Sequence, residues 1–271
     1  MNAGEVVLQE AERPAVPIGG WQARRGAGTF YVGLSTVCLA IAVVGFMPTY
    51  WLQLAPGTFD GPPLVHLHAV LFSAWPLYFL MQTFLAARGH VARHRAWGLL
   101  GVSLATAMVI VGIAVANDAL VTRLEDGYGD RARAFQIVSM SMMVLFAVFV
   151  ATALACVSRP EVHKRLMVLA TVSILPPATA RLFFAVSVGI GPGLRPSGGP
   201  PRAVESVLMS AMAADMVILA AIVYDVRTRG RPHAVYVVGG AIVLGVQLLR
   251  GPLSTTQWWY ALADSLARLA G

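Results

Sequence analysis

Seven apolar stretches run through this chain, at about 29–50, 64–87, 96–117, 134–157, 165–189, 204–225 and 234–251. Each is close to the ~20 residues that a helix needs to cross a ~30 Å hydrocarbon core. Lipid offers backbone amides no water, so stretches of this kind must close their hydrogen bonds within themselves, as helices. Three connections between them are short and basic, and each carries a histidine into the next stretch: Arg88 to Arg95, with His90 and His94; Arg159 to Arg165, with His163; and Arg227 to His233. The pattern predicts an all-α, polytopic transmembrane helix bundle of about seven spans.

Charge sets the expected orientation. With the basic turns placed in the cytoplasm, that side holds twelve Lys and Arg against five acids, and the opposite side seven Arg against seven acids. The whole net charge of +7 then falls on one face, as the positive-inside rule expects. The arginines are accounted for by topology and phospholipid contact, and nucleic acid is not among the expected partners. The amino terminus is predicted cytoplasmic and the carboxyl terminus outside. A hydrophobic share of 57% and a mean hydropathy of +0.70 leave too little polar surface for a water-soluble domain of 271 residues.

The expected domains are a cytoplasmic tail over 1–28, a seven-helix transmembrane domain over 29–251 and an outer tail over 252–271. The first twenty residues carry Glu5, Glu10 and Glu12 and no apolar core, so they match neither a cleavable signal nor a transit peptide. In the last segment Trp259, Leu262, Leu266 and Leu269 share a helical face, which predicts a short interfacial helix. Loops are expected at Ala55 to Pro63, at the mixed-charge run Asn117 to Arg133 and at the Gly/Pro-rich run Gly189 to Pro201. Cys38 and Cys156 are expected at different membrane depths, which argues against a disulfide.

Ionised groups within spans are costly and point to function or to a buried pair. On helix rise, Arg181 lies about two turns and Asp215 about three turns inside the outer ends of their spans. Pro176-Pro177 predicts a kink beside Arg181, and interrupted helices line cavities where freed carbonyls meet ligands. His68, Arg181 and Asp215 therefore form a candidate outer substrate pocket, with Asn117 and Asp118 at its rim. A structural Arg181–Asp215 ion pair is the alternative.

His66 and His68 diverge on a helix, but they converge on a metal if the segment after Pro63 is still extended. His94, His163 and His233 each sit at the start of a return helix at one depth. If spans three, five and seven touch, they can bind a cofactor, either a transition metal or haem b. The outer and inner histidines are separated by most of the bilayer core, so no single haem joins them. Lys164 is the only lysine and sits in a turn, which excludes a retinal Schiff base in the seventh span. Desaturase histidine clusters, HExxH and Walker motifs are absent.

The run from His66 to Gly98, closing on His94-Arg95-Ala96-Trp97-Gly98, resembles segments of bacterial multi-pass membrane proteins with an HRxxG turn. His163-Lys164-Arg165-Leu166-Met167 is similar to the HRxLM-like element of small membrane proteins linked to haem-copper oxidase assembly. Cytochrome b561-like proteins also carry histidines on successive helices, but in paired inner and outer sets that this chain lacks. The resemblance implies a bacterial inner-membrane protein with haem or metal chemistry, in redox or in respiratory-complex assembly alongside other membrane subunits. From the residues alone, a transporter or small-solute-binding protein using Arg181 and Asp215 stays open. So does a non-catalytic scaffold. Enzymatic activity is not assigned by either route.

Overall fold

The computed structural model describes residues 18–188 and 200–270, with side chains over 28–186 and 200–269. Every regular element among the described residues is helical. The helices are α1 (Ile18–Phe46), α2 (Pro63–Ala87), α3 (Val91–Glu125), α4 (Gly129–Ala155), α5 (Pro160–Ser173), α6 (Pro176–Val188), α7 (Leu208–Arg229), α8 (Ala234–Ser254) and α9 (Gln257–Ala270). A π-type turn over Met47–Trp51 and a short turn over Leu52–Leu54 extend α1, and a 3-10 turn over Val204–Val207 leads into α7. Among the described residues six helices are long and apolar enough to cross a bilayer; α5 and α6, bent by 41° at their junction, make a seventh if counted as one span.

The bend has a local cause. Pro176 and Pro177 supply no amide proton, and the proline ring disfavours helical backbone at Leu175. The chain tightens instead, with the amides of Ile174 and Leu175 donating to the carbonyls of Thr171 and Val172. The two halves of this span then meet different surroundings. α5 packs against α1, α4, α7 and α8, and Arg165, Leu166, and Val168 through Ser173 are buried on all its faces. α6 packs against α1 and α7. At Gly45 of α1 a Cβ would stand 2.5 Å from the Ala178 carbonyl oxygen, so glycine is what lets α1 lie directly on the α6 backbone.

Consecutive helices α1 to α5 pack in chain order, and α8 closes the bundle against α4, α5 and α7. The main core joins Trp75, Phe79, Met108, Phe146, Phe149, Leu169, Val172 and Tyr236. Large apolar side chains such as Leu99, Ile110, Val70 and Met209 lie exposed on the outer surface, as a chain solvated by lipid requires.

The expected loop over 117–133 is mostly helix. α3 continues to Glu125 and α4 starts at Gly129, leaving a turn with Gly127 at φ +84°. At 35 residues, α3 measures about 52 Å, longer than a bilayer core. α9 lies against this end of α3 and α4. Trp259 donates from Nε1 to the Arg133 carbonyl (2.8 Å), Arg133 pairs with Asp264 (2.7 Å), and Ala263 packs with Leu120 and Ala132. The expected Trp259–Leu269 face is split: Trp259 is buried on the bundle, whereas Leu262 and Leu269 are exposed. Both cysteines are free. The run 189–199 and the tail up to residue 17 lie outside the described residues, and α1 begins at Ile18, earlier than expected.

Candidate functional site

The three basic turns gather at one end of the bundle. There Arg165, 2% exposed, forks onto the Asp225 carboxylate, 1% exposed, through Nε (2.9 Å) and Nη2. Arg165 Nη1 also reaches Glu161, which binds Lys164 (2.7 Å) and Arg229 (2.9 Å) as well. Asp225 further accepts from the His233 amide (3.3 Å). Lys164 sits over the Tyr31 ring and Arg165 over that of Tyr236. Two carboxylates thus bind three cations in a closed network that joins α5, α7 and the start of α8.

His94 and His163 meet at this end, their rings edge to face with centroids 6.3 Å apart. The His163 Nδ1–H donates to the Ala153 carbonyl (2.8 Å), which leaves Nε2 with a lone pair. His94 Nδ1 is buried with no hydrogen-bond partner among the described residues. His233 does not complete a ring. It caps α8, accepting at Nδ1 from the Val235 amide (3.2 Å), and burial together with Arg165 and Arg229 holds its imidazole below the ordinary pKa. Among the described residues no group of three or more His, Cys, Asp or Glu is placed to hold a metal ion.

The opposite half of the bundle contains a cavity of about 860 Å³, within the ~300–1,000 Å³ usual for small-molecule sites. It follows the α5–α6 bend, with Ile174 through Ala178 on its wall, and is bounded also by α1, α2, α3, α4 and α8. Arg123, Arg181, Arg202, Arg250 and His68 line it, and no described lining residue is Asp or Glu. Arg181 donates from Nε to Thr49 Oγ1 (3.1 Å) and from Nη1 to the Pro177 carbonyl (3.0 Å), and lies over the Phe46 ring. The proline break matters here, because it sets the helix direction from which Arg181 reaches the cavity. Arg123 and Arg202 sit over Phe135 and Phe184, and Arg250 donates to Ser141 (2.8 Å). Three buried polar atoms on lining residues, Trp51 Nε1, His68 Nδ1 and Arg123 Nε, have no hydrogen-bond partner among the described residues. Four cations without a carboxylate among them favour an anion.

Of the expected pocket residues, His68 and Arg181 line this cavity and Asp215 does not. No ion pair joins Arg181 to Asp215. The Asp215 carboxylate lies beside Gln247 and Arg250 instead. Asn117 and Asp118 are not at the rim: Asn117 accepts from Gln136 Nε2 (2.8 Å), tying α3 to α4, and Asp118 faces outward. The segment after Pro63 is helical rather than extended, so His66 and His68 part. His66 bonds Tyr50 Oη (3.0 Å), and His68 stacks on Phe72.

Residues not expected at a site are Arg123, assigned to a loop, and Arg250, at the end of a span. Arg165 is one of the arginines that topology already accounts for, and Asp225 carries no expectation from the sequence; their opposite charges at the joins of two different hairpins are the trace there. No protein-family profile matches the chain, and neither a curated protein nor a solved structure shows significant similarity to it.

Proposed function

We propose that this multi-pass membrane protein binds a small organic anion inside its helix bundle, as a transporter or solute-binding protein. One observation carries this reading: a cavity between the helices, reaching their outer end, bordered by four arginines and no described carboxylate. Arg181, fixed by Thr49 and the Pro177 carbonyl at the bend of the broken span, is the main anchor, and His68, on the same wall, offers an unpartnered Nδ1. Positive-inside asymmetry supports a cytoplasmic amino terminus and an outer carboxyl terminus, with the cavity in the outer half, and the resemblance of the basic turns to those of bacterial membrane proteins is the support for a bacterial inner membrane.

The test is equilibrium binding of a panel of aliphatic and aromatic carboxylates and phosphate esters to protein in nanodiscs. Arg181→Ala is expected to weaken the best ligand by tenfold or more. Absence of any saturable anion binding, or equal binding by the variant, overturns the reading.

A second reading rests on the His94–His163 contact: a haem or transition metal held by these imidazoles, serving redox chemistry or respiratory-complex assembly. The free His94 Nδ1 supports it, and the absence of a third His, Cys, Asp or Glu ligand among the described residues leaves it second. Metal analysis and a visible spectrum of the purified protein decide it. A preparation grown with haem and metal supplements that has neither a Soret band nor stoichiometric metal removes it.

A further inference from the structure

Polar and apolar character are not mixed evenly along the cavity wall. Its floor, the part nearest the basic-turn end, is made by Ala42, Trp75, Pro76, Gly112, Met143 and Thr171. The indole of Trp75 is already satisfied by Thr171 Oγ1 (3.1 Å), and Thr171 in turn donates to the Met167 carbonyl (2.9 Å). The floor's two polar side chains therefore have partners. All three unpartnered polar atoms, on Trp51, His68 and Arg123, belong to residues nearer the other end, where Arg202 also lies. Along α3 alone, Gly112 and Arg123 both line the cavity, and helix rise puts them about 16 Å apart. Arg181 stands some 7 Å along α6 from Pro176, on the same side of the floor as Arg123.

We infer that the anion is an amphiphile, whose head is held by Arg181, Arg123 and Arg202 and whose unbranched apolar tail runs down to Gly112, Trp75 and Met143. This rests on the anion-binding reading above and adds the tail. A compact anion would meet the arginines but leave the apolar floor with nothing to bury. A neutral lipid would fill the floor but leave the half-buried Arg181 and Arg123 without a counter-charge, which is costly where water is scarce. Gly112 sets the depth of the floor, because a Cβ there would stand 2.5 Å from Met143 Sδ and 3.1 Å from Phe72 Cζ. The matching chemistry occurs in a free fatty carboxylate and in an anionic phospholipid of the surrounding bilayer.

Native mass spectrometry of the full chain in phosphatidylcholine nanodiscs, titrated with hexanoate, decanoate and myristate, tests the inference. Each methylene buried in the floor should tighten binding by up to about fourfold. Bilayer partitioning also rises with chain length, but equally for every variant, so the ratio of decanoate to hexanoate binding between variants isolates the site. Gly112→Leu is expected to lower that ratio at least tenfold. Ala42→Leu, from the facing helix, should lower it too, and it serves if the first variant does not fold. A second arm supplies phosphatidylglycerol in the nanodisc. Its retention by wild type and loss in both floor variants identifies the bilayer as the source of the same kind of ligand, and carboxylate binding without such retention identifies the free acid. Binding that depends on Arg181 but not on chain length, unaffected by either floor variant, overturns the tail and leaves the anion site standing. Absence of any Arg181-dependent binding overturns both.

Discussion

Arginine occurs at both ends of this bundle, but in opposite settings. At the basic-turn end Arg165, Lys164 and Arg229 all bind Glu161, and Arg165 is forked onto Asp225, so burial and pairing go together. Around the cavity, Arg123, Arg181, Arg202 and Arg250 rest on hydroxyl or carbonyl oxygens or aromatic faces, with no carboxylate on the wall among described residues. A closed network of opposite charges consumes its own electrostatic potential and fixes helices. Arg250 has the Asp215 carboxylate nearby, behind the wall, but a group of like charges with so little compensation keeps much of its potential for something that arrives from outside. The contrast separates a compensated set of charges from an uncompensated one, which the density of charge alone does not, since the denser end is the better paired.

The strongest way to break the contrast is Asp225→Ala. It leaves a nearly inaccessible guanidinium without its fork and is expected to destabilise the protein by about 3–5 kcal/mol. Thermal denaturation in detergent measures this, and replacing Arg165 and Asp225 together with leucines should recover much of the loss. A loss under ~1 kcal/mol for the single variant would show that the ion pair is not what holds α5 to α7. Next comes Gly45→Ala, which forces α1 off the Ala178 carbonyl. Overpacking of this kind costs roughly 1–3 kcal/mol, and because the contact borders the cavity, ligand affinity should fall with stability.

Arg181→Ala is the sharpening counterpart. It removes a desolvated charge that has no carboxylate partner, so the melting temperature should stay level or rise while anion binding drops at least tenfold; a melting temperature that falls as far as with Asp225→Ala would place Arg181 in the structural class. The smallest effect belongs to His233. Its pKa is lowered in the folded protein, so the unfolded chain takes up the proton first. Stability is therefore full above the unfolded value of ~6.5 and declines as pH falls below it. His233→Asn keeps a cap for α8 and should flatten the slight drop in melting temperature between neutral pH and the acid side of that range.

The helices were legible because membrane thickness dictates their length, and Pro176-Pro177 announced the bend because proline lacks the donor that a helix needs. What the sequence could not show was which side chains meet across helices. Arg181 and Asp215 are at similar distances from their helix ends, but depth says nothing about rotation, and they face different neighbours. His94 and His163 did come together, whereas His233 was diverted into capping its own helix. The run 117–133 looked like a loop because it is charged. Projecting beyond the bilayer core, α3 needs no apolar side chains there, and α9 covers it instead.

The broken span also bears on how the chain enters the membrane. Neither Pro160–Ser173 nor Pro176–Val188 is long enough to cross alone, and the first carries Lys164 and Arg165 near its start. The counter-ion that makes Arg165 tolerable in the bundle, Asp225, is sixty residues further along the chain. When this span first leaves the insertion machinery, Arg165 has Glu161 of its own helix beside it but no partner from α7, because α7 has not been made. The fork between α5 and α7 thus forms late in synthesis, and truncation before Asp225 is expected to yield a chain whose first four helices insert more completely than its fifth, read from glycosylation or protease protection of each span.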